Sequence, residues 1–266
     1  MIDTHCHLDK PEFDADRGAV LERARAAGVT DLVVPAVGPG GWEALLALSR
    51  SEPGVHAALG IHPQLLPELD PGEDDRRLAD LEALVARGGL VAIGECGVDG
   101  PTAAGAFPGP HTASLDRQKA VLAGHLRIAR LAGLPVLLHA LRAHEALLEA
   151  LEREGVPSGG VLHSFSGSAE QVGPLARLGL HFSFAGPVTY ERARKPLAAA
   201  RAVPRDRLLL ETDAPDQTPR PHRGRNEPSY LPGIASAVAA ALEVPLPELD
   251  ALTSANARRL FRLPGA

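Results

Sequence analysis

Six residues of the kinds that hold divalent cations recur along the chain: His5, His7, Glu95, His139, His163 and Asp213. Each stands at or just after the carboxyl end of a short apolar run. A single strand histidine is ordinarily a hydrogen-bonded structural residue, but six such groups at corresponding places point to a shared site. His5 and His7 are two apart, and side chains at i and i+2 of a strand share a face, so both can grip one ion. The same alternation turns Cys6 and Cys96 away from the site, as small buried hydrophobes. Imidazoles with two carboxylates suit Zn2+, Mn2+ or Fe, and Mg2+ where several ligands remain water. Six donors exceed the needs of one tetrahedral centre, which points to two divalent ions sharing a carboxylate. Such pairs sit about 3.5–4 Å apart and clamp the attacking and leaving oxygens of a displacement.

The elements that must position these groups alternate from end to end. Strand-like runs are expected at Met1–His7, Thr30–Val37, Gly54–Ile61, Leu90–Glu95, Leu134–His139, Gly160–His163, Leu180–Phe184 and Arg207–Thr212. Several are continuously apolar, as strands buried on both faces of a parallel sheet are. Helical patterns fill the intervals, at Arg17–Ala27, Trp42–Ser51, Arg76–Arg87, Ser114–Ala132, Ala143–Glu154, Ala169–Leu178 and Tyr190–Ala202. Gly28, Gly88, Gly133, Gly155 and Gly179 follow five of these helices, where a left-handed cap is wanted. Two more helices, Tyr230–Leu242 and Pro247–Phe261, complete eight βα units. The expected architecture is α/β, a single (β/α)8 TIM-type barrel with an extra C-terminal helix. The carboxyl ends of barrel strands form the rim where such enzymes place their chemistry. A doubly wound open sheet alternates in the same way, but its phosphate-binding glycine fingerprints are missing. No linker or low-complexity tract interrupts the chain, so residues 1–266 read as one domain. Three connections, His62–Asp75, Gly97–Ala113 and Ala214–Ser229, are long enough to carry substrate-reading parts.

The composition narrows the classes. The chain has 266 residues, 45% hydrophobic and 3% aromatic, too apolar for intrinsic disorder. A net charge of −6 argues against a broad basic groove that holds nucleic acid by counterion release. It does not argue against a nuclease, because bound metal supplies local positive charge. The segment Tyr190–Asn226 departs from the average, with nine basic and five acidic residues. No apolar stretch is long enough for a membrane span, Leu231–Leu242 being the nearest. The start lacks a secretory pattern, and two cysteines make no disulfide framework. A cytoplasmic protein with no membrane partner is therefore expected.

Ordered motifs carry a family resemblance. Asp3-Thr4-His5-Cys6-His7, Gly60-Ile61-His62-Pro63, Gly94-Glu95-Cys96-Gly97-Val98-Asp99, Leu138-His139, His163-Ser164-Phe165-Ser166-Gly167-Ser168, Glu211-Thr212-Asp213-Ala214-Pro215 and Arg225-Asn226-Glu227-Pro228 resemble those of the TatD metal-dependent deoxyribonucleases. The likeness runs on to Thr253–Phe261 and so covers nearly the whole chain. It implies an amidohydrolase-like barrel that hydrolyses phosphodiesters with two divalent ions, Mg2+, Mn2+ or Zn2+. His5, His7, Glu95 and Asp213 would surround one ion, and Glu95, His139 and His163 the other. Asp213 would accept the proton of the attacking water while Glu95 holds the ions together. The implied partner is DNA, as single strands or ends, cleaved by an exonuclease.

Departures from the family pattern fall outside that shell. Gly100 stands where the family commonly has an aromatic residue after Asp99, which removes a stacking surface. Leu141 stands where an arginine often follows the strand 5 histidine, with Arg142 one place further on, and Asp216 replaces a common tyrosine. Arg142, Arg223 and Arg225 are the candidate phosphate contacts, with surface ion pairs as the alternative for the last two. His62 either orients a phosphate or a water, or closes its loop with Pro63. A competing reading is a metal-dependent esterase or amidohydrolase acting on a small ester, a lactone or an aminoacyl-tRNA. Lysine-bridged relatives of that kind are disfavoured, because Lys10, Lys119 and Lys195 all lie away from strand ends. A silent binding scaffold would have lost ligands, and none is lost.

Overall fold

The computed structural model describes residues 1–156 and 158–264; Pro157 and the last two residues of the 1–266 range lie outside the described residues. Eight strands, β1 (Ile2–Asp3), β2 (Asp31–Pro35), β3 (Val55–Leu59), β4 (Leu90–Asp99), β5 (Val136–Leu141), β6 (Gly160–Leu162), β7 (Leu180–Phe184) and β8 (Leu208–Leu210), pair in parallel in chain order. The helices are α1 (Arg17–Ala26), α2 (Trp42–Ser51), α3 (Asp74–Val85), α4 (Gly100–Ala103), α5 (Leu115–Ala132), α6 (His144–Glu154), α7 (Ala169–Arg177), α8 (Arg194–Ala202), α9 (Leu231–Leu242) and α10 (Leu246–Phe261). The expected barrel is the observed one, nearly closed. Its seam is held where the Thr4 amide and hydroxyl both donate to the Leu210 carbonyl, at 3.1 and 2.9 Å. The five glycines that follow helices all have φ between 65° and 89°. No single helix among the described residues is long and apolar enough to cross a membrane.

The barrel interior is a dry layer. Ile2, Val33, Ala58, Ala92, Leu137, Val161 and Leu209 each come from a different strand, and Ala257, Leu260 and Phe261 of α10 pack against them. The C-terminal helix thus plugs the end of the barrel opposite the rim. A larger cluster fills the space between strands and helices; Cys6 and Cys96 lie in it, fully buried and unpaired. Side-chain parity carries the chemistry upward from the dry layer. In β5, Leu137 faces the interior and Leu138 the helices, so His139 faces in; in β6, Val161 likewise sets His163.

Most strands are a few residues shorter or shifted, and two depart furthest from the expected runs. The first strand is Ile2–Asp3, not Met1–His7. Buried Asp3 ends the regular pairing by accepting from the amides of His5 (3.2 Å) and Thr212 (3.0 Å). His5 and His7 still share the inward face, but as part of an extended loop whose Cys6 and His7 amides bond Val33 and Ala214. The fourth strand continues through Asp99 and does not stop at Glu95. Between Ile93 and Cys96 it spends three residues where β5 spends two, which is a bulge. Ala92 and Glu95 would lie on opposite faces of an unbroken strand; the extra residue puts both inside. Gly94 and Gly97, with φ near 140°, make this possible, because a Cβ there would meet the Leu137 and His139 carbonyls at 2.4 and 2.1 Å. The expected Gly97–Ala113 connection is therefore strand end, α4 and a shorter loop.

One histidine outside the rim supports it from behind. His125 of α5, fully buried, donates from Nδ1 to Val121 O (2.8 Å) and accepts at Nε2 from the Ile61 amide (3.0 Å), next to His62. Burial pushes its imidazole down to about 4 from 6.5. A folded value below the unfolded one stabilises the fold above pH 6.5, and that contribution is lost as pH falls toward 4. Between pH 7 and pH 4.5 the loss is about 2–3 kcal/mol. Urea unfolding of wild type and His125→Gln at these two pH values checks this: the wild type should lose more stability on acidification, and equal losses would refute the assignment.

Candidate metal centre

Inward side chains of β4 and β5, and of the segments that follow β1, β3, β6 and β8, meet above the dry layer. Glu95, fully buried, sits in the middle and offers one oxygen to each side. Its Oε2 lies 3.1 Å from His5 Nε2 and 3.5 Å from His7 Nε2, and Asp213 Oδ1 is 3.7 Å from both imidazoles. Its Oε1 lies 2.8 Å from His163 Nε2, 3.0 Å from His62 Nε2 and 3.2 Å from His139 Nδ1. All six ligand candidates of the sequence reading therefore converge. His62 joins them, facing Glu95 as well as capping its own turn by accepting from the Gln64 amide (3.1 Å).

The donor set fits divalent cations. Three groupings bring ligand atoms within 4.8 Å of one another: His5, His7 and Glu95; His62, Glu95 and His139; and His5, His163 and Glu211. Glu95 Oε2 finds no well-directed hydrogen-bond donor among the described residues, although two imidazole nitrogens stand beside it. A buried carboxylate oxygen set among nitrogens without a well-directed donor is arranged for a cation. Charge agrees with geometry. Burial opposes ionisation of Glu95, but His62, His163 and His5 outweigh it and hold the carboxyl well below its ordinary range. Burial also holds His7 and His62 below theirs, toward the neutral form that ligates metal. At His139 and His163 the neighbouring carboxylates outweigh burial and hold the imidazoles above theirs, so a cation there must displace a proton.

A second ring of contacts orients the first. His7 Nδ1 lies 3.2 Å from Pro35 O. Asp99 Oδ2 accepts from His139 Nε2 (2.9 Å) and from the Gln64 amide group (3.0 Å), which leaves His139 Nδ1 free to face Glu95. Gln217 donates to Asp213 Oδ2, and its own carbonyl accepts from Ser164 Oγ (2.8 Å). Ser164, Asp213 and Gln217 all have left-handed φ, 40° to 57°. Strain of this sort persists where the surrounding contacts over-determine it, at functional sites above all. Burial raises Asp213 to about 6, against the pull of His163 and His5.

Asp99 and Gln217 had no role in the sequence reading. Asp99 was legible in principle, being four residues beyond Glu95 on the same face, once the strand is read through Gly97. Because it sets the ring orientation of His139, Asp99→Asn should weaken divalent-metal retention about 10- to 100-fold. Competition with a metallochromic chelator measures this. Unchanged affinity would mean that Asp99 serves only to cap Thr102, whose amide it accepts at 2.6 Å.

The centre floors a cleft of about 670 Å³ whose walls include Lys10, Leu65, Phe107, Leu141, Tyr190 and Asp216. Lys10 is the one lysine or arginine among the described lining residues, and it pairs with Asp216 at 3.0 Å. None of the three candidate phosphate-binding arginines lines the cleft. Arg142 and Arg223 are exposed. Arg225 makes a two-pronged ion pair with Asp16 (2.7 and 2.7 Å) and lies over the Phe13 ring at 4.7 Å. Asp16 and Arg225 are far apart in sequence, so no local pattern announces their pairing.

Comparison with known proteins agrees with this geometry. The family model described as TatD related DNase matches residues 2–262. YabD, an uncharacterized metal-dependent hydrolase of Bacillus subtilis, is 36% identical over 265 residues, 99% of each chain. A Cronobacter turicensis protein named 3'-5' ssDNA/RNA exonuclease TatD is 35% identical over 269 residues, 98% of this chain and 97% of its own. The crystal structure of YjjV, a TatD homologue of Escherichia coli K12, superposes with a TM-score of 0.89 at 34% identity, covering 99% of this chain and 98% of that one. Likeness that extends over whole chains at this identity reaches beyond a shared barrel: the chain belongs to the TatD-related family of metal-dependent hydrolases.

Proposed function

We propose that the protein is a two-metal phosphodiesterase acting on nucleic acid, DNA first of all, carried by one barrel domain. The observation that carries this reading is Glu95, whose two oxygens each face a separate set of nitrogens. His5, His7, Asp213 and Glu95 would hold one divalent ion, Mg2+, Mn2+ or Zn2+. Glu95, His139 and His163 would hold the other, with His62 beside them. When bound, the ions supply Lewis acidity and positive charge for a displacement at phosphorus. The chain's own residues do the rest. Asp213 faces the centre with Oδ1 while Gln217 holds Oδ2, so it is placed to take the proton from an attacking water. Leu65 and Leu141 give the cleft over the centre an apolar wall, beside which charge interactions are stronger than in bulk water. The name of the Cronobacter relative supports a nucleic-acid substrate, and cleavage from strand ends is the form of the activity we infer.

One observation favours the second reading, a small or neutral ester. Besides the centre itself, Glu68 and Asp216 line the cleft, and its one lysine is engaged by Asp216. A polyanion would meet few cations there. Turnover of a labelled single-stranded oligonucleotide by metal-reconstituted enzyme, run beside ester, lactone and aminoacyl-tRNA panels, decides between them. On the nuclease reading the oligonucleotide is the preferred substrate and binds with a shallow salt dependence, about two to three phosphates neutralised. Leu141→Arg, which adds a guanidinium to the wall, should lower KM for DNA. An oligonucleotide left uncut while an ester turns over would overturn the reading.

A further inference from the structure

The chain has nine aromatic residues: six Phe, two Tyr and one Trp. Phe13, Trp42, Phe165, Phe182, Phe184 and Phe261 are buried. Tyr230 is half-buried and stacked on His222 at 3.7 Å. Phe107 and Tyr190 alone are exposed, at 37% and 40%, and both line the catalytic cleft. They come from different parts of the rim, Phe107 from the connection after β4 and Tyr190 from the one after β7.

Neither ring is exposed through slackness of its loop. Before Phe107 the Ala106 amide donates to Pro101 O (2.9 Å), and after it the His111 amide donates to Pro67 O (3.1 Å). Pro108 and Pro110 stiffen the stretch. Gly109 lies so close to the Pro67 backbone that a Cβ would come within 2.3 Å of its carbonyl oxygen. Tyr190 closes a short 3-10 turn, its amide donating to Pro187 O (3.2 Å). The adjacent Thr189 hydroxyl donates to Gly186 O (2.7 Å) and accepts from the Arg220 amide (2.8 Å). That contact brings the backbone of the exposed Arg220 to the same rim, beside Tyr190. Two aromatic faces on anchored backbone, one with an arginine beside it, are the parts from which single-strand binding sites are made. Every base has a π-face, and arginine answers the phosphate.

We propose that Phe107 and Tyr190 are the substrate-selecting surfaces of this cleft, stacking on nucleobases either side of the scissile phosphate. Rings so placed act on a strand whose bases are unpaired and splayed, and offer nothing to a duplex or to a base-free phosphodiester. This rests on the nuclease reading. It also explains how a cleft with a single lysine holds a nucleic acid: through stacking, with little help from charge.

The test uses the full-length, metal-reconstituted enzyme. Substrates are a short single-stranded oligonucleotide and its counterpart with abasic tetrahydrofuran residues flanking the cleaved bond. Phe107→Ala and Tyr190→Ala should each raise KM for the first about 5- to 150-fold, with kcat falling far less. The abasic strand should already carry that penalty with wild type and gain no further one in the variants. Phe107→Trp should keep KM low, and its fluorescence should be quenched when the normal strand binds. Normal cleavage with KM unmoved in both alanine variants would overturn this inference and leave the nuclease reading standing. If wild type cuts neither strand while turning over an ester, both fall.

Discussion

Glu95→Ala is expected to abolish hydrolysis while leaving the barrel folded. The side chain sits at the end of a bulge that glycines and backbone pairing form without it, so its loss removes no strand contact. What it does remove is the one atom pair that faces both groups of imidazoles. Loss of an outer partner such as Asp99 costs about 10- to 100-fold in metal affinity or activity, and loss of a shared inner ligand should exceed that, by about a thousandfold or more in turnover. Metal content by mass spectrometry should fall below that of the wild type, and far-UV circular dichroism should not change. A chelator should reproduce the defect in wild type, with Mn2+ or Mg2+ reversing it there and failing to do so in the variant. Undiminished activity in a metal-stripped sample would refute the two-metal reading.

Asp213→Asn should have the next largest effect. Asparagine matches the shape, tolerates the left-handed φ of 57° and keeps a partner for Gln217, so the local fold survives. It cannot take a proton, and kcat should fall about 10²- to 10⁴-fold. The pH dependence carries the sign. Asp213 must be ionised to act, so wild-type kcat should rise with pH through its pKa. Burial places that pKa at about 6, and positive charge bound beside it moves it lower still. The acidic limb of the wild-type profile should therefore lie below pH 6 and vanish in the variant. An acidic limb that persists in Asp213→Asn would assign the proton to another group.

Much of this could be read from the chain by itself. Strand and helix periodicity, together with glycines after helix ends, determined an eight-unit barrel with an extra C-terminal helix. Alternation placed His139 and His163 inside, and set each cysteine on the face opposite its neighbouring ligand candidate. These are local properties, set by the geometry of one element at a time, and the sequence records them directly.

The rest was decided by tertiary structure, because it depends on atoms brought together across the barrel. Strand parity without the bulge would point Glu95 outward; the register of β4 against β5 turns it in. The convergence of His62 on Glu95, and the roles of Asp99 and Gln217 in holding His139 and Asp213, follow from closure of the rim. Arg225 reads in the sequence as either a phosphate contact or a surface ion pair, and the fold decides for the pair by setting it on Asp16. Phe107 and Tyr190 look like two more apolar residues in an aromatic-poor chain. Only burial of the others shows that these rings are left facing the cleft. Alternation and helical spacing report on neighbours a few residues away, whereas the chemistry of this centre lies in contacts between strands that are far apart in sequence.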